Sequence, residues 1–365
     1  PLGGSESCVC YLARALAQRG HVVHLLSHND APDFKMGCDC LHLPDHLNSA
    51  YFSEQRFDAV VIVNWPALAP TFAAELLPRG TPLIFWCHHN PDQAGLVEID
   101  AEIARSLSAT VFVSAYQKER AQTQFPLLDR STFVIHNGLT PSFVELFESA
   151  HALRAEKEHQ DIVAYTSTPF RGLDRLIDVM EGVPPSVVLR AFSSMAVYQG
   201  DDSPYVPLYE RARRLPNVAL IGSLAQPALA EELRAASFFV YPNTFTETFC
   251  IAALEALAAG MDVIVPDRGA LPETCGTFAT YVSHDLLDSD PVQATAHFRR
   301  ALLERVEEKK ADIVHWAAEK LRQATEVCAN FRWERRAAQW ETLLADVLRR
   351  EPARLDTTWS SVGGQ

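Results

Sequence analysis

Residues 237–265 carry the decisive pattern: Ser237-Phe-Phe-Val-Tyr241, then Pro-Asn-Thr-Phe-Thr-Glu247-Thr-Phe-Cys-Ile-Ala-Ala-Leu-Glu255-Ala-Leu-Ala-Ala-Gly260, then Met-Asp262-Val-Ile-Val265. A short apolar run rich in aromatic and β-branched residues, a loop, an Ala/Leu-rich stretch ended by glycine, and a second short apolar run spell strand, helix, strand. Such a unit builds a parallel sheet covered on both faces. Glu255 sits in the most apolar part of that helix, where an unpaired carboxylate is costly. Glu247, eight residues earlier, falls in the loop after the strand. Open sheets of this kind bind ligands outside the carboxyl ends of their strands, so a carboxylate in that loop is a candidate site residue.

The same rhythm runs outward in both directions. Strands are expected at 161–165, 186–190, 218–221, 237–241, 262–265 and 280–282. In the first half they are expected at 21–27, 57–63, 82–86, 109–113 and 131–135. Ser5–Arg19 repeats Val9, Leu12 and Leu16 at helical spacing. The polar stretch 149–160 interrupts the alternation and marks a domain junction. The chain thus reads as α/β, with two doubly wound domains: residues 1–155 and 156–330. A C-terminal helix at 331–350 packs back toward the first domain, and the polar tail 351–365 is expected to be disordered. Two such domains leave a cleft between them. A strand should also precede the helix that opens at Gly3-Gly4, so the reading expects a chain incompletely recorded at its start.

Composition narrows the function. The chain has 365 residues, 48% hydrophobic and 21% charged, which suits a globular protein with a substantial core. Lys and Arg number 32 against 46 Asp and Glu. The excess of acid is spread along the chain, with 9 basic and 16 acidic side chains in residues 1–150. Nucleic-acid binding is not expected of such a balance, nor is docking on an anionic membrane. No apolar run reaches the length of a membrane span, and the cytoplasm is the expected location. The eight cysteines are too sparse for a disulfide framework. Cys38-Asp-Cys40-Leu-His42 offers metal-ligand types at a poor C-x-C bite, so it reads either as a weak metal site or as reduced cysteines in a surface segment.

Three further stretches sit where a strand hands over to a helix. Gly3-Gly4-Ser-Glu opens a helix whose first amides favour an anion, or it is a plain helix start. Arg171, in Thr166-Ser-Thr-Pro-Phe-Arg171-Gly172, either grips a phosphate with its forked guanidinium or is a surface arginine. His88 follows the strand ending Phe85-Trp86 and either faces the cleft or serves the fold.

Taken with its flanks, this sequence resembles the retaining glycosyltransferases of family 4, which have the GT-B fold. The resemblance rests on Glu247, Phe249, Glu255, Ala256, Ala258, Gly260, Pro272 and Glu273, an E-x7-E motif and the turn after it. Weaker markers are Gly3-Gly4, His136-Asn137-Gly138, Asn217–Gly222 and Phe331–Glu334. Cys250 stands where the family has glycine, Arg268-Gly269-Ala270 stands where it has a glycine pair, and the family's arginine upstream of Arg171 is missing. The resemblance implies two Rossmann-like domains and transfer of a sugar, with retention, from a nucleotide-diphosphate donor to an acceptor hydroxyl. It implies catalytic roles for Glu247 and His88, and donor contacts from Gly3, Gly4, Arg171, Gly222, Phe249, Cys250, Ile251 and Glu255. No metal and no cofactor are expected, and the acceptor is a carbohydrate, a small molecule or a protein-linked group. The rival readings are a GT-B epimerase or phosphorylase, and a divergent relative that binds the donor without transferring it.

Overall fold

The computed structural model describes residues 3–28, 33–35, 37–47, 51–93, 96–97 and 99–359. It divides into two units. One holds residues 138–332 together with the start of the chain through Cys8; the other holds residues 9–137 and the stretch from Trp333 onward.

The second unit, 9–137 with its C-terminal stretch, carries β1 (His24–Ser27), β2 (Asp33–Lys35), β3 (Cys38–His42), β4 (Val60–Val63), β5 (Leu83–Cys87), β6 (Ala109–Phe112) and β7 (Thr132–Val134). β4 to β7 form a parallel sheet in chain order, and β1, β3 and β2 form a small separate one. β5 is buried along its whole length, as a strand covered on both faces must be. Cys38–His42 is only partly exposed. It is a strand paired in parallel with β1, and the Cys38 side chain is buried. Sequence hid this because a mixed polar run of five residues carries almost no alternation.

The first unit carries β8 (Asp161–Tyr165), β9 (Val187–Ala191), β10 (Val218–Leu220), β11 (Phe238–Val240), β12 (Asp262–Pro266) and β13 (Ala279–Val282). All pairings are parallel, in the order β10-β9-β8-β11-β12-β13. The order reverses between β8 and β11. Chains leaving those two strands turn to opposite sides, which opens a crevice at their carboxyl ends.

The domain junction falls earlier than the sequence pattern suggests. Residues 150–157 form a helix capped by Ser149, and it belongs to the same unit as β8. Its Leu153 joins Phe147, Trp316 and Ala317 in a buried cluster. Lys157 is fully buried and donates to the carbonyls of Leu233 and Ala236. The helix looks like a linker because its buried face includes a lysine. The final helix runs Trp333–Trp359, beyond residue 350 into the stretch assigned to the tail. Within its unit, Trp340 packs its ring 5.2 Å from Trp86, and Arg19 forms a two-pronged contact with Glu341.

Candidate active site

In the first unit the two loops that flank the reversal point hold the motif residues Arg171 and Glu247. After β8 the chain turns through a short 3-10 segment, Pro169–Arg171, and ends it at Gly172 with φ +99°. A side chain at Gly172 would strike the Pro242 carbonyl oxygen at 2.4 Å. Only glycine lets this loop lie against the loop after β11. Arg171 is thereby delivered to Glu247, with Nη1 2.9 Å from Oε1.

Glu247 is buried, and three further features fix it. The Tyr241 hydroxyl donates to Oε1 at 2.8 Å, and Asn243 Nδ2 approaches the same oxygen at 3.4 Å. Its backbone carbonyl accepts from Ala270 N at 2.9 Å. Gly269, in the turn after β12, has φ +63°, and a Cβ there would sit 2.5 Å from that carbonyl oxygen. The guanidinium lies over the Phe245 ring at 4.4 Å. Burial pulls the Arg171 pKa down, but the Glu247 carboxylate beside it outweighs that and holds it above its ordinary range. Arg171 Nε and the hydroxyls of Thr166 and Thr168 are buried without a hydrogen-bond partner among the described residues. Buried polar atoms left unpaired call for an explanation, of which a ligand is one.

The motif's second carboxylate does something else. The helix after Glu247 begins only at Ile251, so Glu255 lies one turn into it. It is buried, and its Oε1 accepts from the Thr140 hydroxyl at 2.5 Å. Burial lifts its pKa from 4.5 to about 7, against the opposing pull of that hydroxyl. Cys250, immediately before the helix, has φ +73°. A non-glycine residue is strained there by about 1–2 kcal/mol, which is why the family's glycine is the easier residue at this point. Phe249 is a structural anchor: its side chain is buried near Phe331, and its carbonyl accepts from the Thr274 hydroxyl.

Gly3 and Gly4 also lie in this unit, and tight packing accounts for both. A Cβ on Gly3 would meet the Tyr198 ring at 2.7 Å, and one on Gly4 would meet Ile251 at 3.2 Å. Gly222 follows β10 with φ +82° and open space around it. It stands two strand spacings, about 10 Å, from β8 along the same edge.

His88 belongs to the second unit, directly after β5. Its N–H donates to Asn64 Oδ1 at 2.7 Å, and its Nε2 lies 3.2 Å from Asn137 Oδ1. Burial drops its pKa from 6.5 to about 4, so the ring is neutral at pH 7. Gln117 holds the same loop, donating to the carbonyls of Cys87 and His89 while accepting from Val113 N.

Sequence reasoning missed Tyr241, Asn243, Thr168, Asn64 and Gln117. Asn137 was visible, but only as part of a motif with no partner. Gln117 gave no signal at all, because a buried glutamine in a polar helix looks like any exposed one. Among the described residues, no helix is long and apolar enough to cross a membrane. None of them forms a group of three or more His, Cys, Asp or Glu side chains placed to hold a metal ion.

The comparisons agree with this architecture. The profile described as Glycosyltransferase Family 4 matches residues 2–143, and the one described as Glycosyl transferases group 1 matches residues 163–304. The phosphatidyl-myo-inositol mannosyltransferase of Mycobacterium tuberculosis (strain H37Rv) is 24% identical over 290 residues, 73% of this chain and 75% of that protein. Among solved structures, sucrose-phosphate synthase from Thermosynechococcus elongatus superposes with a TM-score of 0.72 at 19% identity. The match covers 95% of this chain and 94% of that one. Anabaena Alr3699/HepE in complex with UDP and glucose gives 0.68 at 17% identity, covering 94% and 96%. With both halves of the chain matched in order, and with two Rossmann-like units bearing the motif residues, the chain belongs to the family 4 glycosyltransferases of the GT-B fold.

Proposed function

We propose that this glycosyltransferase takes its sugar from a nucleoside-diphosphate donor bound at the carboxyl edge of the β8–β13 sheet, and transfers it to a hydroxyl with retention. The observation that carries the reading is the Arg171–Glu247 pair at the point where the strand order reverses. Arg171 holds a fixed positive charge with one N–H unpaired beside two unpaired hydroxyls, a donor set suited to phosphate oxygens. A guanidinium fixed in place before reaction stabilises the charge that grows on a departing diphosphate. Glu247 has Oε1 held by Arg171, Tyr241 and Asn243, while Oε2 meets Arg171 at 3.2 Å. Its remaining acceptor capacity is available to sugar hydroxyls. The relative solved with UDP and glucose supports a nucleotide-sugar donor.

Nearer the start of the helix, Ile251 and the first turn at Gly3-Gly4 close one side, and Gly222 marks the far end of the edge. A nucleotide laid along the strand ends would run from Arg171 toward Gly222. Glu255, bonded to Thr140 and raised to about 7, is a positioning residue here; a contact with ribose would require it to exchange that partner. His88, neutral at pH 7, suits a hydrogen-bonding role and not that of a cation. The reaction needs no metal, since Arg171 and helix-terminal amides supply the positive field. The enzyme works in the cytoplasm on a water-soluble or protein-linked acceptor. The acidic excess over residues 1–150 supports this against the lipid acceptor named for the mycobacterial relative.

A panel of nucleotide sugars with mass detection of released diphosphate and transferred sugar tests the reading. One donor should turn over in EDTA with its anomeric configuration kept. Release that requires added Mg²⁺ or Mn²⁺, or an inverted product, overturns the corresponding part. Sedimentation with anionic vesicles at physiological salt decides the acceptor question, and substantial pelleting favours the lipid.

A further inference from the structure

The second unit exposes a tryptophan that the fold does not use. Trp65 follows β4 and is 43% exposed, whereas Trp86, Trp316, Trp333 and Trp340 are all buried. Among the described side chains it is the exposed indole. Asn64, the residue before it, has φ +55°, in the left-handed region that asparagine adopts more readily than other non-glycine residues. Such residues gather at ligand sites, where the surroundings hold them in place. Here the surroundings are specific. Asn64 N donates to the Trp86 carbonyl at 3.1 Å, and Asn64 Oδ1 accepts from His88 N at 2.7 Å. The same residue that aims Trp65 therefore also fixes the histidine loop after β5.

A third residue joins them. His28 follows β1, and its ring centre lies 6.3 Å from that of Trp65, tilted by 34°. His28 and His88 thus come immediately after the carboxyl ends of β1 and β5, and Trp65 one residue beyond Asn64 at the end of β4. β4 and β5 are paired up to that edge, with Val63 opposite Trp86. The result is a half-exposed indole beside the His28 imidazole, carried on a loop that Asn64 ties to the buried His88 at the carboxyl edge of a parallel sheet.

We propose that Trp65, flanked by His28, is the stacking platform of a subsite that holds a pyranose ring. The face of a pyranose made of C–H bonds carries slight positive charge, and the indole face carries slight negative charge. Hydroxyls at the ring's edge then reach the His28 imidazole, an apolar face with a convergent polar group being typical of small-molecule sites. A nucleotide would stack as well, but its phosphates are poorly served by a stretch in which acidic side chains outnumber basic ones by 16 to 9. That the bound ring is the acceptor rests on the transferase reading above; that a ring binds does not.

The test is ligand-observed saturation-transfer NMR on the full chain. The probes are methyl α-D-glucopyranoside, methyl α-D-mannopyranoside and methyl β-D-galactopyranoside, with uridine as the control. At least one glycoside should receive saturation on its ring C–H protons. The signal should fall about five- to tenfold in Trp65→Ala and recover in Trp65→Tyr, as the loss of one aromatic contact implies. Since Trp65 is exposed, circular dichroism of Trp65→Ala should match the parent. Absence of transfer to all three glycosides, equal transfer in Trp65→Ala, or displacement of the glycosides by uridine overturns the subsite. Binding of UDP, ADP and GDP is read on the same samples. If none binds, the donor reading fails while the glycoside result still decides the subsite.

Discussion

The two ends of the β8–β13 sheet both bury ion pairs, and they use them differently. At the amino end, Asp161 opens β8 and Asp262 opens β12. Lys320 Nζ lies 2.6 Å from Asp262, whose other oxygen accepts from the Trp316 indole at 2.7 Å. Lys309 lies 2.9 Å from Asp161, and Gln323 ties Lys320 to the carbonyls of Leu257 and Met261. The hydrogen-bonding groups named in that network have protein partners. At the carboxyl end, Arg171 and Glu247 are paired as closely, yet Arg171 Nε, Thr166 and Thr168 have partnerless polar atoms. Breaking a buried pair by removing one partner is strongly destabilising wherever it sits. What separates structure from function is whether the protein alone completes the bonding. At the amino end the protein pairs the charged groups and leaves the neutral Ser237 hydroxyl without a partner, whereas at the carboxyl end the charged Arg171 itself keeps an unpaired N–H.

The largest effect should come at the carboxyl end. Glu247→Gln keeps a hydrogen-bonding group beside Arg171 but removes the charge, and transfer should fall by at least about 10²–10³, the scale for one transition-state contact. Product release followed by chromatography measures it. Turnover above a tenth of the parent would mean that the pair is structural at both ends.

Lys320→Met should do the opposite. It strands the Asp262 carboxylate and should cost about 3–5 kcal/mol of stability, read by urea denaturation. Nucleoside-diphosphate affinity of the folded protein should stay the same. A loss of affinity well below the unfolding transition would show that the two ends are coupled.

Arg171→Ala sharpens the contrast within the carboxyl end. Loss of a charged hydrogen bond is worth about 1.5–3 kcal/mol, so affinity for the diphosphate should drop while affinity for the bare nucleoside holds. Calorimetry with both ligands decides, and equal losses would assign Arg171 to the fold.

The smallest effect concerns Glu255, whose folded pKa of about 7 exceeds its ordinary 4.5 because it is buried. The folded state holds the proton more tightly, so stability declines as pH rises from 4.5 through about 7. Glu255→Gln should remove that decline, gaining on the parent progressively toward pH 8 in denaturation at pH 5, 6, 7 and 8. Parallel curves for the two proteins would mean that Glu255 is ionised in the folded state.

Much of this was legible in advance because it is local. Apolar runs of four or five residues set apart by glycine and proline announce parallel strands, since a strand buried on both faces has no other composition open to it. Glu247 and Arg171 each follow such a run, so the carboxyl edge could be named for each before either was placed. The junction at residue 138 was not legible, because Lys157 in a polar helix looks solvated until its carbonyl partners at Leu233 and Ala236, distant in sequence, are known. The strand Cys38–His42 was hidden for the same reason, its pairing being with β1.

By itself, then, the sequence determined the two α/β units, the family and the loops that hold the candidate residues, all of which follow from period, turn residues and motif spacing. Tertiary structure alone decided which of those residues meet. It put Glu247 with Arg171 and Glu255 with Thr140, 115 positions away. It gave Gly172 and Gly269 their purpose as points of close backbone approach, and it left Trp65 facing outward beside His28. A contact between segments far apart in the chain is fixed by strand order and loop geometry, and neither is written in the spacing of the residues that make it.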